Sequence, residues 1–326
     1  MGQQQGANVK LVCQSETTFG QVPGTSDPLY ITFVSESIRQ SRNLVSSKSI
    51  RQDRNPNMPV RGNLDVAGDL TFELAWAHGR ILRHALGNYT AVSGSSMFTH
   101  TMSIGTSLPI GLTIEKQFAD LATAQYFQYS GLKVNSLKMA FSPEGFIECT
   151  ASFMGKKETV AASSAFTLPT DLGHQPWDGV SIVIQEGAGT PTTLAVCSKI
   201  DFSLENNLDG SSYVIDSTSQ RHSIPAGTAK VSGNLTALFE DVVLYNKAVN
   251  YTESQIVITL TRGTGAGTTG NEKLTITIPE LVYKPQAPVT PGPQGVVVDL
   301  PFEAYYDNAS QATALQMVLL CNRSYF

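Results

Sequence analysis

Residues 66–71 read Val-Ala-Gly-Asp-Leu-Thr, and residues 231–236 read Val-Ser-Gly-Asn-Leu-Thr. In both places apolar and polar side chains alternate, which gives a strand with one inward face and one outward face. In both places a short stretch of helical spacing follows. Residues 74–86 set Leu74, Ala77, Ile81, Leu82, Ala85 and Leu86 three and four apart, with Gly87 where a helix stop belongs. Residues 239–249 place Phe239, Val242, Val243 and Ala248 on one side of a second short helix.

The match extends outward from this pair. Upstream, Asn43-Leu44 corresponds to Asn207-Leu208 within one residue of the same offset. Downstream, Leu132, Val134, Met139, Phe141 and Pro143 align with Leu274, Ile276, Leu281, Tyr283 and Pro285, and residues 147–153 align with 296–302. A repeated order of strand, helix, strand and hairpin predicts two tandem copies of one β-rich fold, residues 1–165 and 166–326. The join falls where residues 160–178 turn small, polar and Pro-bearing.

The rest of the chain also alternates in short runs between Gly, Pro, Asn and Asp. These runs are 29–34, 63–74, 132–141, 145–153, 180–185, 198–204, 228–239, 255–261, 273–283 and 295–302. They predict a mainly β protein, two sandwich or barrel domains each flanked by one short helix. The copies differ in connections. Residues 88–110 form a polar, Ser/Thr-rich insertion in the first, while the second carries 263–270 and the Pro-rich 284–295. Loops of this kind lie on the surface and reach neighbours.

Composition narrows the function. Of 326 residues 41% are hydrophobic and only 15% charged, so the chain has a core to bury and is too apolar for disorder. So little charge suits a surface that other copies cover. The net charge of −5 does not mark a general nucleic-acid binder. It is unevenly shared: residues 1–170 hold 14 basic and 12 acidic groups, and residues 171–326 hold 8 and 15. The start of the chain lacks the charged and apolar regions of a secretory signal, and no apolar run approaches the ~18 residues of a membrane span. The expectation is a soluble product made in the cytoplasm, without membrane insertion. The Asn-x-Ser/Thr sequons at Asn88, Asn234, Asn250, Asn308 and Asn322 carry no weight there.

Catalytic patterns are missing. Cys13, Cys149, Cys197 and Cys321 are scattered and read as small apolar residues, not as a disulfide frame or zinc site. His78, His84, His100, His174 and His222 have no ligand spacing. There is no GxSxG elbow, and Asp65 and Asp69 read as the outward face of a strand, not as paired catalytic acids beside Glu73 and Glu115. Gly265-Ala266-Gly267-Thr268-Thr269-Gly270 spells GxGxxG after a strand, but a second alternating strand follows it where a dinucleotide site needs a helix. The expectation is no catalytic residue, no cofactor and no metal.

The densest charge lies in residues 38–61, with Arg39, Arg42, Lys48, Arg51, Arg54 and Arg61 against Asp53 alone. No aromatic residue stands among these cations to stack on a base. The corresponding stretch of the second copy carries Glu205, Asp209 and Asp216 against Arg221. A basic arm and an acidic arm suggest contact between subunits or stacked rings, and these nine residues are the candidates.

Glu16-Thr17-Thr18-Phe19-Gly20, Glu36-Ser37-Ile38, Ser49-Ile50-Arg51 with Asp53-Arg54, residues 68–74, Ala85-Leu86-Gly87 and residues 129–136 together resemble the tail tube proteins of long-tailed bacteriophages. The resemblance covers residues 8–158 by motif and the second copy by pattern. It implies a β-sandwich-like fold whose sheets join those of neighbours into a closed inner barrel. It also implies a virion location in the phage tail, as the major tail tube subunit of a siphophage-like particle. The partners implied are other copies in stacked rings, the tape-measure and tail terminator or tip proteins, and double-stranded DNA that passes without specific binding. Such subunits usually carry one fold and form sixfold rings, so two fused copies imply a homotrimer with pseudo-sixfold symmetry. A bore that lets DNA slide is expected to be neutral or acidic, because each inward cation recruits phosphate, so the basic arm is expected to face another ring. The alternatives are a β-rich tail-tip or decoration module that adheres to a host surface and, more distantly, a carbohydrate-active enzyme.

Overall fold

The computed structural model describes every residue except 1–2, 25–26, 51, 95–96, 168–174, 217, 291 and 325. The chain is mainly β, with two short α-helices. The strands of its first half are β1 (Lys10–Ser15), β2 (Leu29–Ile31), β3 (Ser35–Glu36), β4 (Arg39–Val45), β5 (Val60–Glu73), β6 (Gly87–Ser93), β7 (Phe98–Ile104), β8 (Leu112–Phe118), β9 (Gln125–Phe141), β10 (Glu148–Gly155) and β11 (Lys157–Ala161). Those of the second half are β12 (Ile182–Glu186), β13 (Thr192–Thr193), β14 (Cys197–Glu205), β15 (Lys230–Leu238), β16 (Ser254–Thr261), β17 (Lys273–Tyr283), β18 (Val297–Ala304) and β19 (Gln316–Cys321). Helix α1 (Gly79–Leu86) follows β5, and α2 (Val243–Val249) follows β15.

All the ladders are antiparallel. One sheet runs β4–β5–β10–β9–β14–β15–β18, crossing from the first half to the second where β9 pairs with β14. Alternation decides its faces. Val66, Leu70 and Phe72 of β5, Cys149, Ala151 and Phe153 of β10, and Ile200, Phe202 and Leu204 of β14 are buried on one side. A second layer covers that side. It consists of β2–β1–β8–β9–β11 over the first half and β12–β16–β17–β19–β7–β6 over the second. The long strands β9 and β17 belong to both layers, and the buried residues of the two halves form one connected core. At ~25 cal/mol per Å2 of apolar surface, a core of this extent is the main stabilising term.

Gly68 and Gly233, third in the two copies of the repeated hexad, do the same job. A Cβ on Gly68 would lie 2.4 Å from the Ile38 Cα, and one on Gly233 would lie 2.2 Å from the Asp201 carbonyl oxygen. Each lets the preceding strand cross β5 or β15 at a distance closed to any side chain.

Three expectations change. Residues 88–110 are not a surface loop: they contain the β6–β7 hairpin, and β7 is zipped to β19, Met317 opposite Met102. Thr and Ser on alternate positions gave it a polar reading, yet Met102 and His100 are fully buried. The helix expected over 74–86 begins with a 3-10 turn at Trp76–His78 and becomes α-helical at Gly79, with Gly87 as its C-cap at φ 98°. The third change concerns α2: Val242 and Val243 face solvent, and its buried residues are Leu244 and Ala248. By contrast α1 buries seven of its eight residues. The GxGxxG stretch is the connection between β16 and β17, closed by Arg262 N–H donating to the Glu272 carbonyl at 2.9 Å, with a strand after it.

Candidate subunit-contact surface

The expected subunit contacts direct attention to three regions: the polar face of the main sheet, its two ends, and the segments that follow β4 and β14.

The strand register aligns the outward side chains of the main sheet in rows. One row reads Thr71, Thr150, Lys138, Ser203, Ser232 and Glu303. The next reads Asp69, Ser152, Ser136, Glu205 and Lys230, and another reads Glu73, Glu148, Ala140, Asp201, Asn234 and Pro301. Lys199, Thr236 and Asp299 make a short fourth row. Seven carboxylates share these rows with three lysines, and an open groove lined by Lys138, Glu148, Asp201 and Glu303 crosses them. Glu303 is held by Lys284 at 2.9 Å and Lys230 at 3.4 Å, which lowers its pKa. Ser, Thr and Ala side chains, with Asn234 and Pro301, fill the remainder.

The basic candidates fall at one end of this sheet. Arg39 and Arg42 lie on β4, Arg39 opposite Ala67 on the polar face and Arg42 opposite Leu64 on the other. Arg61 is the second residue of β5, opposite Leu44, and Lys48 and Arg54 are exposed in the arm between the two strands. Arg51 lies outside the described residues. The arm also exposes Leu44, Val45, Ile50, Met58 and Val60, with Ile50 at 99%. Apolar side chains in water beside cations are the composition of a contact surface.

The acidic candidates do not form a second projecting arm. Glu205 ends β14 opposite Lys230. Asp209 and Asp216 are exposed but occupied with their own turns: Asp209 accepts from the Ser211 N–H at 2.8 Å, and Asp216 from the Thr218 N–H at 2.9 Å. These hydrogen bonds hold both carboxyls below their ordinary pKa. The segment that carries them folds back over the first half of its own chain. Arg221, buried, ion-pairs with Asp65 at 2.6 Å and donates to the Gly155 carbonyl at 2.9 Å, and the Tyr213 hydroxyl donates to the Leu64 carbonyl at 2.8 Å. Arg221 was invisible in the sequence as an anchor, because nothing in a polar stretch marks which cation turns inward.

Three residues of the resemblance, Glu16, Gly20 and Gly131, converge inside the first half. The buried Glu16 carboxylate accepts from the Gly20 N–H, the Gly131 N–H and the Thr113 hydroxyl, each at 2.7 Å. Burial nevertheless raises its pKa, the hydrogen bonds opposing. Glu115 is fully buried, not solvated, and accepts from Gln117 at 2.8 Å and Gln128 at 2.9 Å. Spacing alone could not separate it from the outward acids.

No group of three or more His, Cys, Asp or Glu is placed to hold a metal among the described residues. His78, His84 and His100 are buried in hydrogen bonds to Thr32, Ser15 and Tyr89, and His174 lies outside the described residues. Cys13, Cys149 and Cys321 are buried and Cys197 half-buried. No helix of the described residues is long and apolar enough to cross a membrane. Compared with known families, residues 6–304 match the family model described as phage tail tube protein. No curated protein matches the chain.

Proposed function

Because the chain belongs to the phage tail tube protein family, we propose that it polymerises as stacked rings into the hollow tube that conducts DNA from capsid to host. The observation that carries this reading is the main sheet itself. It packs on one connected core, its β4 edge has no outer ladder partner among the described residues, and its free face carries short polar and acidic residues. Closing such a sheet against other copies removes its edges and joins subunits by main-chain hydrogen bonds.

In this reading the polar face lines the bore. An excess of carboxylates over lysines repels the phosphate backbone, so passing DNA finds no row of cations to release its counterions against. Arg39 shares that face at the edge of the sheet, while the arm beyond it carries the remaining cations towards a neighbouring subunit or ring. The two halves, 1–165 and 166–326, act as quasi-equivalent units, so three chains close a ring of pseudo-sixfold symmetry. The tape-measure protein would occupy the bore before ejection, and terminator and tip proteins would cap the ends. The site needs no catalytic group.

Negative-stain microscopy of concentrated protein tests the reading. Hollow rods of uniform bore are expected; discrete particles alone would count against a tube and favour an adhesion or decoration module.

A further inference from the structure

Within the main sheet the halves join where β14 meets β9, and the two ends of that sheet carry the unmatched parts of the same joint. Within the chain, β14 lies beside β15 with Phe202 opposite Gly233, as residues 35–45 lie beside β5 with Ile38 against Gly68. The other edge of β14 is zipped to β9, from Ile200 opposite Phe141 to Glu205 opposite Ser136. The other edge of residues 36–41 has no ladder partner among the described residues. Two of its amides are capped by side chains instead: the Ile38 N–H donates to Glu36 at 3.1 Å and the Gln40 N–H to Glu158 at 3.3 Å. At the far end of the sheet, residues 284–289 follow β18 on the side that β9 takes beside β10, tied to it at two points. The Lys284 N–H donates to the Pro301 carbonyl at 2.7 Å, and Val289 bridges Val297. No strand lies on their outer side among the described residues.

We propose that the joint between chains repeats the joint within the chain. Residues 36–41 of one copy lie antiparallel along 284–289 of the next, with Ser41 opposite Lys284 and Arg39 opposite Gln286. Within one chain the corresponding pairs are Glu205 with Ser136 and Ser203 with Lys138. This register rests on the tube reading and fixes which edges close the ring.

The partner is a second copy for three reasons. The internal joint of β14 with β9 is a working example of the corresponding segments meeting. The capped amides of Ile38 and Gln40 then exchange side-chain carboxylates for the carbonyls of Ala287 and Pro285, so the edge is satisfied both before and after assembly. Finally, the segment after β14 folds over the first half, and the same path would carry the arm after β4 over the second half of the next copy. There α2 exposes Val242 and Val243 beside Glu240 and Asp241, complementary in apolarity and charge to Ile50, Met58, Lys48 and Arg54. Pro285 and Pro288 remove amide donors from the receiving edge, which limits pairing in other registers.

Cysteine cross-linking tests the register, because directly opposed antiparallel residues approach to about 4.5–5.5 Å between Cα atoms, within disulfide range. Ser41→Cys/Lys284→Cys and Arg39→Cys/Gln286→Cys proteins are assembled into tubes and oxidised. Each should give chain-to-chain disulfides on a non-reducing gel at least tenfold above the shifted pair Ser41→Cys/Gln286→Cys. In wild-type tubes, needing no substitution, the amides of Ile38 and Gln40 should exchange hydrogen at least tenfold more slowly than in the free chain. Tubes in which the shifted pair cross-links better, neither matched pair cross-links, or the two amides exchange unchanged would overturn the register and leave the tube reading standing. Wild-type protein that forms neither rings nor rods would overturn both.

Discussion

His84 sits on α1 with its Nε2 2.9 Å from the Ser15 hydroxyl, and burial beside Arg83 and Arg80 lowers its pKa to about 3. The unfolded chain takes up this proton near pH 6.5 while the folded chain refuses it until about 3, so acid favours unfolding across that window. The contribution of His84 is complete above pH 6.5 and falls by about 1.4 kcal/mol for each pH unit below it. Urea unfolding at pH 7 and pH 4.5 should therefore show His84→Gln losing about 2–3 kcal/mol less than the wild type between the two conditions; equal losses would contradict the assignment. Glu16 makes the second residue-scale prediction. Removing its carboxylate leaves the amides of Gly20 and Gly131 without their acceptor in a buried site. Glu16→Ala should cost about 3 kcal/mol or more, since each orphaned buried donor costs about 1–3. A melting temperature within experimental error of the wild type would refute it. Neither role was legible in the sequence: Glu16 stands in a polar run, and only the fold brings Gly20, Thr113 and Gly131 around it.

At the scale of elements, alternation was legible because the strands of the main sheet from β5 to β18 each have one buried face, which prints period two on the chain. All ten alternating runs contain strands. Two of the missed strands show how the signal is lost. β8 is buried on both faces through polar residues such as Thr113, Glu115 and Gln117, so its period is hidden. β4 is exposed almost throughout, so it has no buried face to reveal. α2 was placed correctly but turned wrongly, because Val242 and Val243 are apolar without being inward. The repeated glycine was the most readable local feature, and its role gives a matched prediction. Gly68→Val and Gly233→Val should each destabilise by about 2 kcal/mol or more, by forcing backbone apart where a Cβ would lie within 2.6 Å. Urea unfolding of the two variants measures this, and a neutral result at either site would refute the equivalence of their packing.

For the whole molecule, fold class followed from the sequence, but the use of the two arms did not. A count of charges presented a basic and an acidic arm as partners, whereas the second segment is spent on its own chain through Arg221, Tyr213 and two turn-forming aspartates. Among the described residues one exposed basic arm then remains per chain, and three per ring in the trimeric reading. Lys48→Glu/Arg54→Glu should impair tube polymerisation in physiological salt while changing chain stability by no more than about 0.5 kcal/mol, as for surface substitutions remote from the core. Tubes of normal length from this variant would reject a role for the arm in contact. The count of chains in a ring bears on everything above, because it depends on two halves serving as successive members of one closed wall. Native mass spectrometry of single rings released from tubes measures that count. The account predicts three chains in each ring; six chains in a single layer would contradict it.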